Sequence, residues 1–470
     1  MLVRVLPLHR QMFEIIITTP EVLLSIVVLS IVLYGINLPT LKISIGVLLI
    51  IGIMISDIEY FQPLWLWDST NGLLMTNCWI IISKFLIIIG SISILFMGLG
   101  ETIMVRLSLP ILILIVSLSS LLLVSSVNWL SIYLAIELQT LTLFILTALR
   151  RDSTYGTEAG LKYFVLGAVS SGLFLFGCAL LYGFTGETSI QGINSLLTAD
   201  IGKILITISL LFKLSAAPFH MWAPDVYEGA PTITTALLAI VPKIGVFSIL
   251  VQIGPVTNIV LVCAILSIIY GAIGALNQTK IKRLLAYSGI GHMGFILFGI
   301  AIASFESIQA SLIYMIVYVI MSICTFSIIL SLNLTKDLLI EVSGLSRDNP
   351  VIGLTLALTF LSIAGVPPLA GFFSKWLILL SGISSGYYLI SIIAVISSVI
   401  AGVYYVRLVQ LIYFQTNYSI FIWQKVLKKE RRLNFSKSLL IGVTFFIILL
   451  LIFSPNFLLQ ITHDATISLY

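Results

Sequence analysis

Charge is what this sequence has least of. Only 9% of its 470 residues are Asp, Glu, Lys or Arg, against 59% hydrophobic residues. A water-soluble surface of this size cannot be assembled from so few polar side chains, so lipid is the expected solvent. A polar or Pro/Gly/Ser-rich run long enough to separate one domain from another is also missing, and a single membrane domain is expected. Cysteine is scarce: Cys78, Cys178, Cys263 and Cys324 stand singly in or beside apolar stretches, without a C-x-x-C pair. That speaks against a zinc site and against an iron–sulfur cluster, and no metal is expected. The net charge of +5 is small, and the basic residues fall in short loops instead of a face that could track phosphates, so nucleic acid is not an expected partner. The first twenty residues have neither a compact apolar core before a small-residue cleavage site nor the Arg-rich, acid-free pattern of a transit helix; no leader is expected.

What is present is apolar length. A membrane span needs about twenty mostly apolar residues at a rise of about 1.5 Å each. Segments of that kind predict helices near 21–38, 40–56, 78–99, 107–126, 129–149, 158–184, 201–223, 231–253, 256–277, 284–304, 308–332, 351–383, 387–414 and 437–459, fourteen in all. Loop charges support the count, because Lys and Arg should collect on one side of the membrane. Loops after odd-numbered helices hold Arg106, Arg150 and Arg151, Lys280, Lys282 and Arg283, Lys336 and Arg347, and the cluster from Lys425 to Arg432. Loops after even-numbered helices are acidic or neutral, with Asp57, Glu59, Asp68, Glu187, Asp200 and Glu306, and Lys203 as the basic exception. Arg4 and Arg10 run against the pattern.

A few charges remain inside the spans. A charged side chain at the bilayer centre costs roughly 3 kcal/mol on insertion scales, so each one that persists faces protein or water. Glu137 stands in the middle of WLSIYLAIELQTLTLFIL and is the one carboxylate read at that depth. Lys84, Lys162, Lys213, Lys243 and Lys375 fall within predicted helices, whereas Arg407 is near enough to a helix end to snorkel. Three of the lysines adjoin helix breaks: Lys213 precedes SAAP, Lys243 follows Pro242, and Lys375 comes seven residues after Pro368. Proline frees a carbonyl that only protein or water can satisfy at membrane depth, so these positions mark a wet interior. An apolar surrounding disfavours an ammonium and a neighbouring carboxylate favours it, so a row of lysines ending on Glu137 has the chemistry of a proton relay. The competing reading is static ion pairs that lock helix packing. For Lys84 no partner is evident. His220 and His292 suit either a relay or a structural hydrogen bond, since imidazole titrates near neutral pH and neither has metal-ligand spacing. One broken helix with its lysine near 201–223 has a counterpart near 351–383, five helices later, the pattern of an inverted-repeat transporter.

Three long motifs say more. FKLSAAPFHMWAPDVYEGAPT at 212–232, NQTKIKRLLAYSGIGHMGF at 277–295 and AGVPPLAGFFSKW at 364–376 closely resemble, in order, signature segments of the antiporter-like membrane subunits of respiratory complex I, NADH:ubiquinone oxidoreductase. The resemblance covers about residues 100–415. It implies an all-α polytopic membrane protein of fourteen transmembrane helices. Three helices occupy residues 1–100, two inverted five-helix repeats with broken helices 7 and 12 occupy 101–255 and 256–415, and a basic loop and last helix occupy 416–470. It further implies that Glu137 pairs with Lys213, that Lys243 and Lys375 continue a hydrated axis, and that Lys162 is a further family lysine on helix six. Lys84 matches no family role.

By the same resemblance the chain takes part in proton translocation as a subunit of an NADH-oxidising enzyme, without a redox centre or an NADH or quinone site of its own. FMN, iron–sulfur clusters and ubiquinone are expected in partner subunits. The implied neighbours are subunits 4, 4L and 6, accessory subunits and membrane lipids, cardiolipin among them. The implied location is the mitochondrial inner membrane, or alternatively a bacterial plasma membrane, and the three N-terminal helices suggest a source outside the animals. Rival readings are a cation/proton antiporter subunit and a purely structural membrane scaffold.

Overall fold

The computed structural model describes residues 19–34, 40–61, 67–69, 74–99, 103–150, 152–190, 200–332, 334, 336–414 and 435–470. The predicted break at Leu38-Pro39 and the charges Arg4, Arg10, Arg151 and Lys425 to Arg432 lie outside the described residues. In chain order the helices are α1 (Thr19–Tyr34), α2 (Thr40–Phe61), α3 (Cys78–Met97), α4 (Ile103–Ser125), α5 (Trp129–Thr147), α6 (Thr154–Thr185), α7 (Asp200–Lys213), α8 (Trp222–Gly229) and α9 (Thr232–Ile253). They continue as α10 (Thr257–Ala275), α11 (Ile281–Ile302), α12 (Phe305–Leu332), α13 (Pro350–Ala364), α14 (Ala370–Ser384), α15 (Tyr388–Tyr413), α16 (Phe435–Leu450) and α17 (Asn456–Ile467). Among the described residues nine helices are long and apolar enough to cross a membrane, and α1, α2, α13, α14 and α16 include shorter apolar stretches. The chain is a multi-pass membrane protein with the expected broken helices.

Burial sorts the helices into an inner and an outer set. In α9 and α12, 89% of the most apolar window is inside the protein, and in α11 83%, whereas in α6 and α15 only 33% is. The inner helices are apolar all round because protein surrounds them; the outer ones turn Leu161, Val165, Val169, Ile392, Ile396 and Val399 outward, as lipid contact demands. Every intramembrane cation of interest therefore has to be judged by which set carries it. The closest pairing is α10 with α11, and glycine permits it: a Cβ at Gly271 would stand 2.5 Å from the Gly291 nitrogen.

Both predicted breaks are present, and the structure resolves each into two helices. The 201–223 span stops at Lys213, passes through turns at 214–221, and resumes as the separate α8. The 351–383 span divides at Gly365, which has φ +90°, ahead of Pro367 and Pro368. Two other expectations need correction. The last predicted helix, 437–459, ends at Leu450, because Pro455 has no N–H to extend it, and α17 starts afresh at Asn456. An unforeseen two-stranded hairpin pairs Trp67–Ser69 with Leu74–Thr76. Beyond α17, Ser468 reaches back to α3: its hydroxyl accepts the Trp79 N–H at 3.1 Å and its carbonyl accepts the Asn77 amide at 3.3 Å. The first of these bonds satisfies a backbone donor that a helix N-terminus otherwise leaves open.

Candidate functional site

Lys243 is in the middle of α9, one of the inner helices, and is only 2% exposed. Its Nζ donates to the Tyr318 hydroxyl on α12 at 3.4 Å and is flanked by the rings of Tyr318 and Tyr227, with centroids at 5.6 and 5.9 Å. Room for the ammonium comes from Gly289 on α11, where a Cβ would approach Nζ to 3.3 Å. Tyr314 and Tyr318 are one turn apart on the same face of α12, so both hydroxyls project toward α11. There Tyr314 meets His292: its hydroxyl and the ring Nδ1 are 2.7 Å apart, and the His292 and Tyr318 rings lie 5.6 Å apart.

Lys375 closes the row. It sits on α14, and its Nζ donates to the carbonyls of Ile363 at 3.1 Å and Ala364 at 2.7 Å, the last carbonyls of α13. A cation there meets the negative end of the α13 dipole. The ring of Phe295 covers it at 5.7 Å. His292 stands between the two lysines and feels the charge of both. Two cavities of about 20 Å³ each adjoin it, sharing Ser288, His292 and Ile363; one reaches Lys375, Tyr404 and Tyr405, the other Tyr227, Tyr318 and Thr325. Each is large enough, and polar enough at its walls, for about one water.

At the other end, Lys213 terminates α7 with its Nζ buried and without a hydrogen-bond partner among the described residues. Glu137, half-buried on α5, exerts its charge on Lys213 across a gap wider than the 4.0 Å of an ion pair, and its Oε2 accepts the Thr140 hydroxyl at 3.3 Å. The two charges attract through space without a direct bond.

The remaining predicted residues lie elsewhere. Lys162 is partly exposed on α6 and binds Glu158 at 2.8 Å and Asp225 at 2.7 Å. His220, in the turn after α7, stacks on Tyr270 at 5.6 Å and lines neither cavity. Lys84 does have a partner: it forms a buried ion pair with Glu21 of α1, each side chain 5% exposed. One sequence expectation is thereby corrected: Lys84 is not alone, and its partner Glu21, at the edge of its span, is a buried carboxylate besides the half-buried, mid-span Glu137. Glu21 escaped notice because it stands at the edge of its apolar segment, 63 residues from its lysine. The tyrosines Tyr227, Tyr314 and Tyr318 were also missed; the i, i+4 spacing of the last two was the available signal. Among the described residues no cluster of His, Cys, Asp or Glu could hold a metal ion.

A family model described as NADH:quinone oxidoreductase/Mrp antiporter, transmembrane, matches residues 126–401, the stretch that holds Glu137, Lys162, Lys213, Lys243, His292 and Lys375. The chain belongs to this family. Within the oxidoreductase/antiporter family it is 64% identical over 374 residues to NADH-ubiquinone oxidoreductase chain 2 of Metridium senile, covering 77% of this chain and 97% of that one. It is 37% identical over 434 residues to NADH-quinone oxidoreductase subunit N 1 of Rhizobium meliloti, covering 85% and 88%. A chain in the structure of respiratory complex I from Thermus thermophilus with bound aureothin superposes with a TM-score of 0.81 at 26% identity, over 94% of this chain and 99% of that one. Outside the matched stretch of the family fall Glu21 and Lys84.

Gly365 tests how closely this family site is built. Its φ of +90° disfavours any other residue, and an added Cβ would stand 2.9 Å from Lys375 Cδ and 3.1 Å from Nζ. Gly365→Ala is expected to cost about 1–3 kcal/mol of stability, read as a lower thermal midpoint of the solubilised protein. Ser381→Ala, on the same helix as Lys375 but bonded locally to Ile378, should leave the midpoint nearly unchanged.

Proposed function

We propose that this chain is a proton-translocating subunit in the membrane arm of a respiratory NADH:quinone oxidoreductase, and that protons pass along Glu137, Lys213, Lys243, His292 and Lys375. The observation that carries the proposal is the gathering of ionisable groups in one row: the Lys243 ammonium on the Tyr318 hydroxyl, the His292 ring beside the Tyr318 ring, and a water-sized cavity lined by both His292 and Lys375. Each member can hold or hand on a proton, and helices α9, α11, α12 and α14 hold them in place.

Lys213 is the member poised for release. Its buried ammonium has no hydrogen-bond partner among the described residues, and the charge of Glu137 favours it. Weakening that field, through charge redistribution that begins at quinone reduction in a partner subunit, favours the neutral amine and sends the proton toward Lys243. Lys375, bonded to two carbonyls, keeps its ammonium stabilised until a proton arriving through His292 repels it. FMN, iron–sulfur clusters and ubiquinone belong, in this reading, to partner subunits. His220 and Lys162 flank the axis.

The half-buried place of Glu137 supports neighbours. It shares α5 with outward-facing Leu130, Leu134 and Leu141, and a carboxylate at that depth needs protein cover beyond its own chain. We assign that cover to adjacent membrane-arm subunits, subunits 4, 4L and 6 among them, with accessory subunits and lipids such as cardiolipin elsewhere on the outer helices. The location is the mitochondrial inner membrane. The paired breaks α7/α8 and α13/α14 support fourteen crossings and two inverted five-helix repeats over 101–255 and 256–415.

Glu137→Gln and Lys213→Ala, each made in the assembled complex, test the assignment. Both are expected to lower NADH-driven proton uptake by vesicles at least fivefold, with NADH oxidation by ferricyanide unchanged as the sign of assembly. Full pumping in both variants would overturn it.

A further inference from the structure

The eight residues of α8, WAPDVYEG, divide between two environments. Asp225 and Glu228 are three positions apart and share the outer face. Asp225 binds Lys162 at 2.7 Å and approaches Arg283 at 3.7 Å, and Glu228 binds Arg283 at 3.3 Å and also Lys280. With Glu158 on Lys162, six charges alternate in one continuous line, Glu158, Lys162, Asp225, Arg283, Glu228 and Lys280. The line starts on α6, crosses α8 and ends at the first turn of α11. An isolated pair of this exposure would contribute little, but here Asp225 is shared by cations from α6 and α11 and Glu228 by two at the start of α11, and that fixes the place of α8.

The inner face of α8 looks at the lysines. The Trp222 indole donates to the Phe212 carbonyl at 3.0 Å, next to Lys213. Tyr227 is 2% exposed; its ring flanks Lys243, and it lines the cavity shared with Tyr318, His292 and Thr325. Its hydroxyl is fully buried and has no hydrogen-bond partner among the described residues. Buried hydroxyls are rarely left unpaired, and the cavity they face here has room for about one water.

We propose that α8 is a positioning element for the relay: its outer charges set the position of Tyr227, and the Tyr227 hydroxyl holds the water that connects the Tyr318 hydroxyl, bonded to Lys243, to His292. The proposal rests on the relay reading given above. A water anchored by one phenol and facing the ammonium-bonded Tyr318 hydroxyl and the His292 imidazole is oriented for transfer from one to the other, whereas an unanchored water in the same cavity is not.

Four variants of the assembled complex in vesicles decide it, with NADH:ferricyanide activity as the assembly control. Tyr227→Phe removes only the hydroxyl and should lower NADH-driven proton uptake at least threefold and change its solvent deuterium isotope effect. Glu228→Gln should produce a smaller loss in the same direction, and Glu228→Asp should restore most of it. Unchanged pumping and an unchanged isotope effect in Tyr227→Phe would overturn the proposal, whatever the Glu228 variants do. Lys243→Met separates the two readings. If it pumps normally the relay itself fails; if it does not while Tyr227→Phe does, only the role of α8 fails.

Discussion

Exchanging Lys243 for arginine is expected to cut NADH-driven proton uptake tenfold or more, although the charge is kept. The guanidinium does not release its proton in a protein, whereas a lysine amine does. A relay through Lys243 therefore stops in Lys243→Arg and equally in Lys243→Met. The structural rival predicts the opposite order. If Lys243 only fixed α9 against α12 by its bond to Tyr318 and its contacts with two rings, arginine would preserve the charge and much of the contact, and pumping would continue. Assembly should survive in Lys243→Met, since an apolar side chain of similar length in this pocket no longer has to be desolvated, and Tyr318 retains the Ala239 carbonyl at 3.4 Å. The measurement is proton uptake in vesicles, set against ferricyanide reduction in the same preparation. Wild-type pumping in Lys243→Arg would remove Lys243 from the proton path.

The second large effect concerns stability. Glu21→Leu would leave the Lys84 ammonium buried without its counter-charge, and Lys84→Met would do the same to the carboxylate, whose Oε2 already has no partner among the described residues. Breaking a buried pair from one side costs about 3–5 kcal/mol. Replacing both partners by apolar residues removes the uncompensated charge, so the double variant Glu21→Leu/Lys84→Met is expected to recover most of that loss. Thermal midpoints of the solubilised protein, combined as a double-mutant cycle, give the coupling. Single variants as stable as the parent would show that water reaches the pair.

The features of this protein that could be read from its sequence are those where a residue violates its surroundings. Lys213, Lys243, Lys375 and Glu137 stand out because charge in an apolar run has a high desolvation cost, and Pro367-Pro368 stands out because proline cannot continue a helix. Three signature motifs then assigned the family. Residues that conform to their surroundings stayed hidden. Tyr318 and Tyr227 look like ordinary aromatic packing in a hydrophobic segment, and only the fold shows one hydroxyl on the Lys243 ammonium and the other on a cavity. Asp225 and Glu228 stand within the first motif, yet their partners Lys280 and Arg283 are more than fifty residues away, and local pattern cannot pair them. The Glu137–Lys213 pairing, expected from the resemblance, is in this structure an interaction at a distance. The break at Pro455 was legible in principle from Ser454, Pro455 and Asn456, a sequence that starts helices more readily than it continues them.

Ser468 makes the completion of α3 wait on a stretch of chain synthesised long after it. The N–H of Trp79 finds its acceptor 389 positions further along the polypeptide. At about 5–20 residues per second, a ribosome delivers that acceptor some twenty seconds or more after α3 has left it. For that interval the Trp79 N–H lacks the acceptor it has in the folded protein, and the helix that carries Lys84 is finished only when the rest of the bundle is in place.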